Sequence, residues 1–160
     1  MIRAKNTVEG TALRRRLGLS VPTIILLAAI AALRVPLHDL GIVSEGSVVN
    51  SLLVFVPLAL WLVVVLLLRV PNPFLALTAV GVAYGVMLAL IHQLLWVAAY
   101  DGSPPSLGGN LEGALAPGME TVVFRTSAFF SSLMTGTVVG VVVGVVGWAM
   151  ARVIEHLRQT

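Results

Sequence analysis

Four long apolar runs are the feature that most constrains how this chain can fold. They cover residues 17–37, 48–68, 74–99 and 122–151, and each is closed by charged residues or by Pro and Gly. A helix of about 20 apolar residues crosses the hydrocarbon layer of a bilayer. Backbone polar groups in lipid must be bonded within the spanning structure, and the alternating pattern of a barrel strand is missing here. The sequence therefore predicts an all-α fold, an integral membrane four-helix bundle.

Composition agrees with one transmembrane domain over residues 1–160. The chain is 58% hydrophobic and 11% charged, whereas soluble domains carry about 25% charged residues. It contains no Cys, which excludes disulfides, thiol catalysis and Cys-based metal sites. The net charge is +3, but the basic residues lie beside apolar runs, where anionic lipid and insertion direction explain them. Nucleic acid is therefore not an expected partner.

The basic residues are distributed unevenly between the two sides of the predicted bundle. One side has only Arg34 and Arg125, together with five acidic residues. The other side has eight basic residues: Arg3, Lys5, Arg14, Arg15, Arg16, Arg69, Arg152 and Arg158. By the positive-inside rule, both termini and the basic segment 1–16 are predicted to be cytoplasmic, and loops 38–47 and 100–121 to be outside. Anionic lipids are the expected partners at the cytoplasmic face.

The predicted location is a bacterial inner membrane, which the chain crosses several times. Arg is far more frequent than Lys, and Ala, Val and Gly are abundant, a bias typical of high-GC bacterial genomes. The first run can also be interpreted as a signal peptide, because Ala29-Ile30-Ala31 fits a cleavage site after a basic segment. The run continues beyond Ala31 and is long enough to span, which favours an uncleaved first helix.

Small residues recur at four-residue spacing on the third and fourth runs. On a helix this spacing makes a groove, and helices in lipid associate by close packing of such surfaces. We expect the two grooves to pack against each other within one chain; the alternative is contact with a second copy or with another membrane protein. We call this set the small-residue seam, and its members are Gly81, Gly85, Ala89, Ala128, Ser132, Gly136, Gly140 and Gly144.

Polar side chains gather near the outer ends of the runs. Ionisable groups at membrane depth are costly, so they are expected to face protein, water or headgroups. His92 and Arg125 share helix faces with the seam and are predicted to approach each other. The favoured interpretation is interhelical bonding and contact with headgroups; the alternative is an outward-open site for an anion, a lipid headgroup or a carboxylate. The candidate outer polar site comprises Arg34, His38, Asn50, His92, Gln93, Arg125 and Glu120.

Motifs for catalysis are missing from the sequence. There is no HExxH, no G-x-S-x-G and no phosphate loop, and no run has Asp or Glu in its interior. We therefore predict no catalytic residue, no cofactor and no metal site. The favoured function is helix packing with itself or with a membrane partner. A small channel or transporter subunit with a polar outer vestibule is the alternative, and a haem protein or other membrane enzyme using His92 is the second alternative.

Overall fold

The computed structural model describes residues 17–100, 102–103 and 105–159, so the predicted basic segment 1–16 lies outside the described part. Every regular element in these ranges is helical, which confirms the all-α prediction. The elements are α1 (Val21–Ala32), α2 (Arg34–Asp39), α3 (Val48–Leu67), α4 (Pro73–Leu94), α5 (Trp96–Ala99), a 3-10 turn (Gly109–Leu111) and α6 (Pro117–Gln159). Four helices are long and apolar enough to cross a membrane, namely α1 with α2, α3, α4 and α6. The chain therefore has the construction of a multi-pass membrane protein.

The first apolar run is divided into α1 and α2 at Leu33. Pro36 lies just beyond the break; proline has no N–H, and its ring crowds the carbonyl four residues earlier. The backbone bonds continue on both sides, from Leu33 N to Ala29 O at 3.2 Å and from Leu40 N to Pro36 O at 3.1 Å. The helical path therefore reaches Asp39, two residues into the predicted loop 38–47.

The third and fourth runs also differ from their predicted limits. The third is interrupted after Leu94, and α5 completes it. The fourth run was predicted over 122–151, but α6 extends over 43 residues and begins at Pro117, whose fixed φ suits the first turn of a helix. At 1.5 Å per residue α6 is about 64 Å long, more than the roughly 40–45 Å of a bilayer with its headgroups. A helix of this length can be accommodated in a bilayer only by a strong tilt or by ends that project beyond the lipid.

A tight turn joins α3 to α4 and defines what we call the turn end of the bundle. Val70 N donates to Val65 O at 3.1 Å and Arg69 N donates to Leu66 O at 3.2 Å, which closes the last turn of α3. Arg69 has φ 48°, in the left-handed region. Asn72 then caps α4 by accepting from Leu75 N at 3.1 Å. The opposite end of the bundle, where α2 and the end of α4 lie, is called the polar end.

The core lies where α1, α3 and α4 meet. Its largest fully buried side chains are Trp61, Val65, Leu77 and Val80. Trp61 Nε1 donates to Leu27 O at 2.9 Å, so the one polar atom of its ring is satisfied inside the bundle. α4 is the central helix, since it packs against α6 along much of its length and also contacts α1, α2 and α3.

Candidate functional site

The small residues of α4 and α6 face each other within the one chain. A Cβ added to Gly81 would lie 2.6 Å from Gly136 O and 2.7 Å from Gly140 N. A Cβ on Gly140 would lie 2.6 Å from Gly81 Cα, and one on Gly85 would lie 2.9 Å from Leu133 O. These separations leave no room for a side chain, so the two backbones are in direct contact.

The rest of the small-residue seam continues this contact toward both ends. Ala89 and Ser132 are buried, and Ala128 is half-buried near the polar end. A Cβ on Gly144 would lie 3.0 Å from Phe74 O. Gly147, which the four-residue spacing missed, belongs to the same face, because a Cβ there would lie 2.7 Å from Leu77 Cδ1. The signal that could have found it is the three-residue step from Gly144, which also returns to one helix face.

His92 continues the contact between α4 and α6 at the polar end. Its Nδ1 lies 3.0 Å from Ser132 Oγ, and that hydroxyl donates to Ala128 O at 2.7 Å. A hydroxyl has one proton, so His92 Nδ1–H is the donor to Ser132. In the neutral ring Nε2 is then the unprotonated nitrogen, and it lies 3.7 Å from Asp39 Oδ2.

Asp39 is the residue of this site that the sequence prediction missed. Its Oδ2 is buried with no hydrogen-bond partner, and its Oδ1 lies 3.4 Å from His38 Nδ1. His38 Nε2 in turn lies 3.2 Å from Oε1 of the exposed Glu45. The only signal for Asp39 is the continuation of the first helix beyond Leu37, which places its carboxylate at the level of His92.

Gln93 and Arg125 form a second hydrogen-bonded connection, or tie, between α4 and α6, the first being that of His92 with Ser132. Arg125 Nε donates to Gln93 Oε1 at 2.8 Å and its Nη2 donates to Gln93 O at 2.7 Å. Gln93 Nε2 donates back to Arg125 O at 2.9 Å. The guanidinium also lies over the Trp96 ring, 5.7 Å from its centroid. Thus His92 and Arg125, predicted to approach each other, are each bound to a polar neighbour on the facing helix.

The remaining predicted residues lie apart from these two ties. Arg34 Nε donates to Asn50 Oδ1 at 2.7 Å, which joins α2 to α3. Glu120 is in the first turn of α6, where the helix dipole favours a carboxylate. The polar end therefore consists of three separate groups: Arg34 with Asn50; Glu45, His38, Asp39, His92 and Ser132; and Gln93 with Arg125.

These groups are arranged for hydrogen bonding between helices. Ser132, His92 and Asp39 are the residue types of a hydrolytic triad. However, Ser132 is only 6% exposed, and its hydroxyl donates to Ala128 O. Both nitrogens of His92, and both of His38, face protein groups. Within the described ranges, no cluster of three or more His, Asp or Glu could hold a metal ion.

Comparison with protein-family models, with curated proteins and with solved structures gave no match.

Proposed function

We propose that this protein is a non-catalytic, four-span protein of the bacterial inner membrane, with both termini in the cytoplasm, which acts by packing against a membrane partner or a second copy. The observation that carries this proposal is the pairing of the polar residues at the polar end. Arg34, His92 and Arg125 are each bonded to a side chain or carbonyl of another helix. Such bonds act as ties between helices in lipid.

The filled centre of the bundle favours this function over a channel formed by a single copy. Trp61, Val65, Leu77 and Val80 are fully buried where α1, α3 and α4 meet. Protein interiors packed in this way leave few voids larger than a water molecule. An ion path through one copy would need these side chains to move apart, so the channel alternative receives less support than the packing function.

A surface suited to a partner lies on the face of α6 opposite the glycines. At 100° per residue, Ser127, Ser131 and Thr135 share one side of the helix, and all three are exposed. Small and hydroxyl residues at four-residue spacing allow another helix to approach closely. Because the glycine face of α6 is already occupied by α4, a partner of α6 would use this exposed hydroxyl face.

Co-purification tests the partner directly. Native-membrane pull-down with mass spectrometry would compare the wild type with Ser131→Trp, which blocks the hydroxyl face, and with Leu52→Trp on the exposed side of α3. We expect a stable partner or second copy to be lost in the Ser131 variant and kept in the Leu52 variant. Equal recovery from all three chains would contradict the proposed surface.

The orientation of the chain in the membrane is tested separately from the partner. The chain has no Cys, so single-Cys variants can be made and labelled without first replacing native cysteines. In intact cells we expect a membrane-impermeant maleimide to label Ser103→Cys, and Gln159→Cys only after permeabilisation; the reverse pattern would overturn the orientation.

Ala28 and Ala31 are buried in the core, which supports the interpretation that α1 is not cleaved. The intact mass of the purified protein tests this, because a cleaved signal peptide would lower the mass.

A further inference from the structure

A cleft of about 1040 Å³ opens at the turn end of the bundle. It lies between the α3–α4 turn and the part of α6 that continues past that turn. Phe74, Val145 and Trp148 contribute apolar and aromatic surface to its walls. Arg69, Arg152 and Arg158 also line it, with Glu155 as the acidic residue of the lining. Among the described residues that line it, three guanidinium groups face one carboxylate, so this part of the cleft is both apolar and positively charged.

Arg69 occupies a backbone position that favours glycine. It follows the last turn of α3 and is the one non-glycine residue of the described segments with a positive φ, 48°. Helices commonly end with Gly in this left-handed conformation, because a Cβ raises the energy there. Strain of this kind is characteristic of positions where the side chain has a use. The position supplies the cleft with a guanidinium from the turn itself.

Trp148 and Arg152 place an amphipathic pair on the α6 side of the cleft. The Arg152 Cζ lies over the Trp148 ring, 5.8 Å from its centroid, and Trp148 is 48% exposed. Tryptophan prefers the headgroup level of a bilayer, where its ring contacts both acyl chains and water. The cleft is thus expected at the depth where phosphates and the first acyl carbons lie.

We propose that this cleft binds an anionic phospholipid, with the phosphate among the three arginines and the acyl chains along the apolar wall. Guanidinium groups bind phosphate oxygens in a bidentate manner, and the apolar wall is suited to the hydrocarbon. The inference rests on the proposed function in one respect: it requires the turn end to face the cytoplasmic leaflet, whose anionic lipids attract basic residues.

Native mass spectrometry of the full-length protein in detergent tests the site. Phosphatidylglycerol and phosphatidylcholine are titrated separately, and we expect a bound phosphatidylglycerol with a clear preference over phosphatidylcholine. Arg69→Gly suits the left-handed backbone and should leave the fold intact, while its affinity for phosphatidylglycerol falls about fivefold, the factor that corresponds to about 1 kcal/mol per basic residue. Arg152→Gln should give a similar loss, and Glu155→Gln should raise the affinity.

Two controls separate a site from diffuse charge. Val153→Glu also lowers the net charge by one, at an exposed position of α6 that does not line the cleft, so its affinity should equal that of the wild type. Arg152→Lys keeps the charge and loses the planar fork, so it should bind more weakly than the wild type. Equal losses in Val153→Glu and Arg69→Gly, or equal affinity for the two lipids, would overturn the proposal.

A further titration distinguishes a lipid ligand from free phosphate. Inorganic phosphate is titrated against the protein with and without phosphatidylglycerol, and we expect it to displace the lipid only weakly. Binding of phosphate alone, without preference for the lipid, would make a soluble phosphate compound the ligand and overturn the lipid proposal. Binding in detergent does not depend on membrane orientation, so failure here is distinguishable from failure of the maleimide labelling.

Discussion

Gly81 of α4 and Gly140 of α6 are in backbone contact: a Cβ on Gly81 would lie 2.7 Å from Gly140 N, and a Cβ on Gly140 would lie 2.6 Å from Gly81 Cα. In lipid there is little hydrophobic force between helices, so close packing of this kind is a principal source of association. The contact also brings backbone Cα–H groups close to facing carbonyls, which adds weak attraction. The α4–α6 pair therefore depends on two residues that have no side chain.

Gly140→Leu should separate α4 from α6. The leucine has no space that avoids the α4 backbone, and overpacking that displaces backbone costs about 3 kcal/mol or more. We expect a large loss in the free energy of unfolding, measured by SDS titration of the protein in mixed micelles. Gly140→Ala should lie between this variant and the wild type, because its single methyl still meets Leu77 O at 2.9 Å.

Gly118→Ala is the matched control on the same helix. A Cβ there has nothing within 4 Å, and Ala is the better helix former by about 1 kcal/mol. Its stability should equal or exceed that of the wild type. If Gly140→Leu unfolded at the same SDS fraction as the control, the backbone contact would not be what holds the helices together.

Ser132→Ala should weaken the tie between α4 and α6 by a modest amount. The substitution removes the acceptor of His92 Nδ1–H, and hydrogen bonds of this kind in membrane bundles average about 0.6 kcal/mol, with about 1.7 as the upper value. Ser131→Ala, at the exposed neighbouring position, should leave the free energy of unfolding unchanged. A double-mutant cycle with His92→Gln measures the coupling; additive losses in the two single variants would mean that the bond contributes no stability.

The two small-residue grooves of α4 and α6 were accessible from the sequence because the signal is periodic, although their contact with a second copy or a partner stayed open as the alternative. The spacing is four residues both between Gly81 and Gly85 and between Gly136 and Gly140. On a helix, this spacing places each pair on one face. The four spans are accessible for the same reason, since length and hydropathy follow from bilayer thickness.

The polar end was only partly accessible, because its contacts join residues far apart in the chain. Asp39 and His92 are brought together by the path of the chain after Leu33, which depends on how Pro36 alters the first helix. The length of α6 was missed at both ends; at the C-terminal end, Arg152, Glu155 and Arg158 interrupt the apolar run. The cleft at the turn end exists only because that polar extension of α6 passes the α3–α4 turn.

Arg125→Lys should destabilise the polar end although it keeps the charge. The guanidinium bonds Gln93 through two different nitrogens and lies over Trp96, and one ammonium group cannot reproduce this planar arrangement. We expect a loss of about 1.5–3 kcal/mol, the range for hydrogen bonds to charged groups, seen as a lower midpoint of thermal unfolding in detergent. Unchanged stability would show that Arg125 contributes through charge alone.

Asp39→Asn should leave stability unchanged or raise it at neutral pH. In the wild type, Asp39 Oδ2 is buried without a hydrogen-bond partner and lies 3.7 Å from His92 Nε2, beyond hydrogen-bond distance. An Asn amide offers N–H donors in nearly the same volume. The amide N–H can donate to His92 Nε2 while the amide oxygen stays near His38, so the buried atom that replaces Asp39 Oδ2 gains a partner.

Asp39→Ala provides the contrast, because it removes the carboxylate without adding a donor. His92 Nε2 stays unpaired in this variant, so its stability should lie below that of Asp39→Asn by about 1 kcal/mol, the net value of a typical hydrogen bond. Thermal unfolding of the three proteins in one detergent gives the order. If Asp39→Asn were the least stable, His92 Nε2 would carry a proton in the folded protein, and the Asp39–His92 contact would be an ion pair that stabilises the polar end.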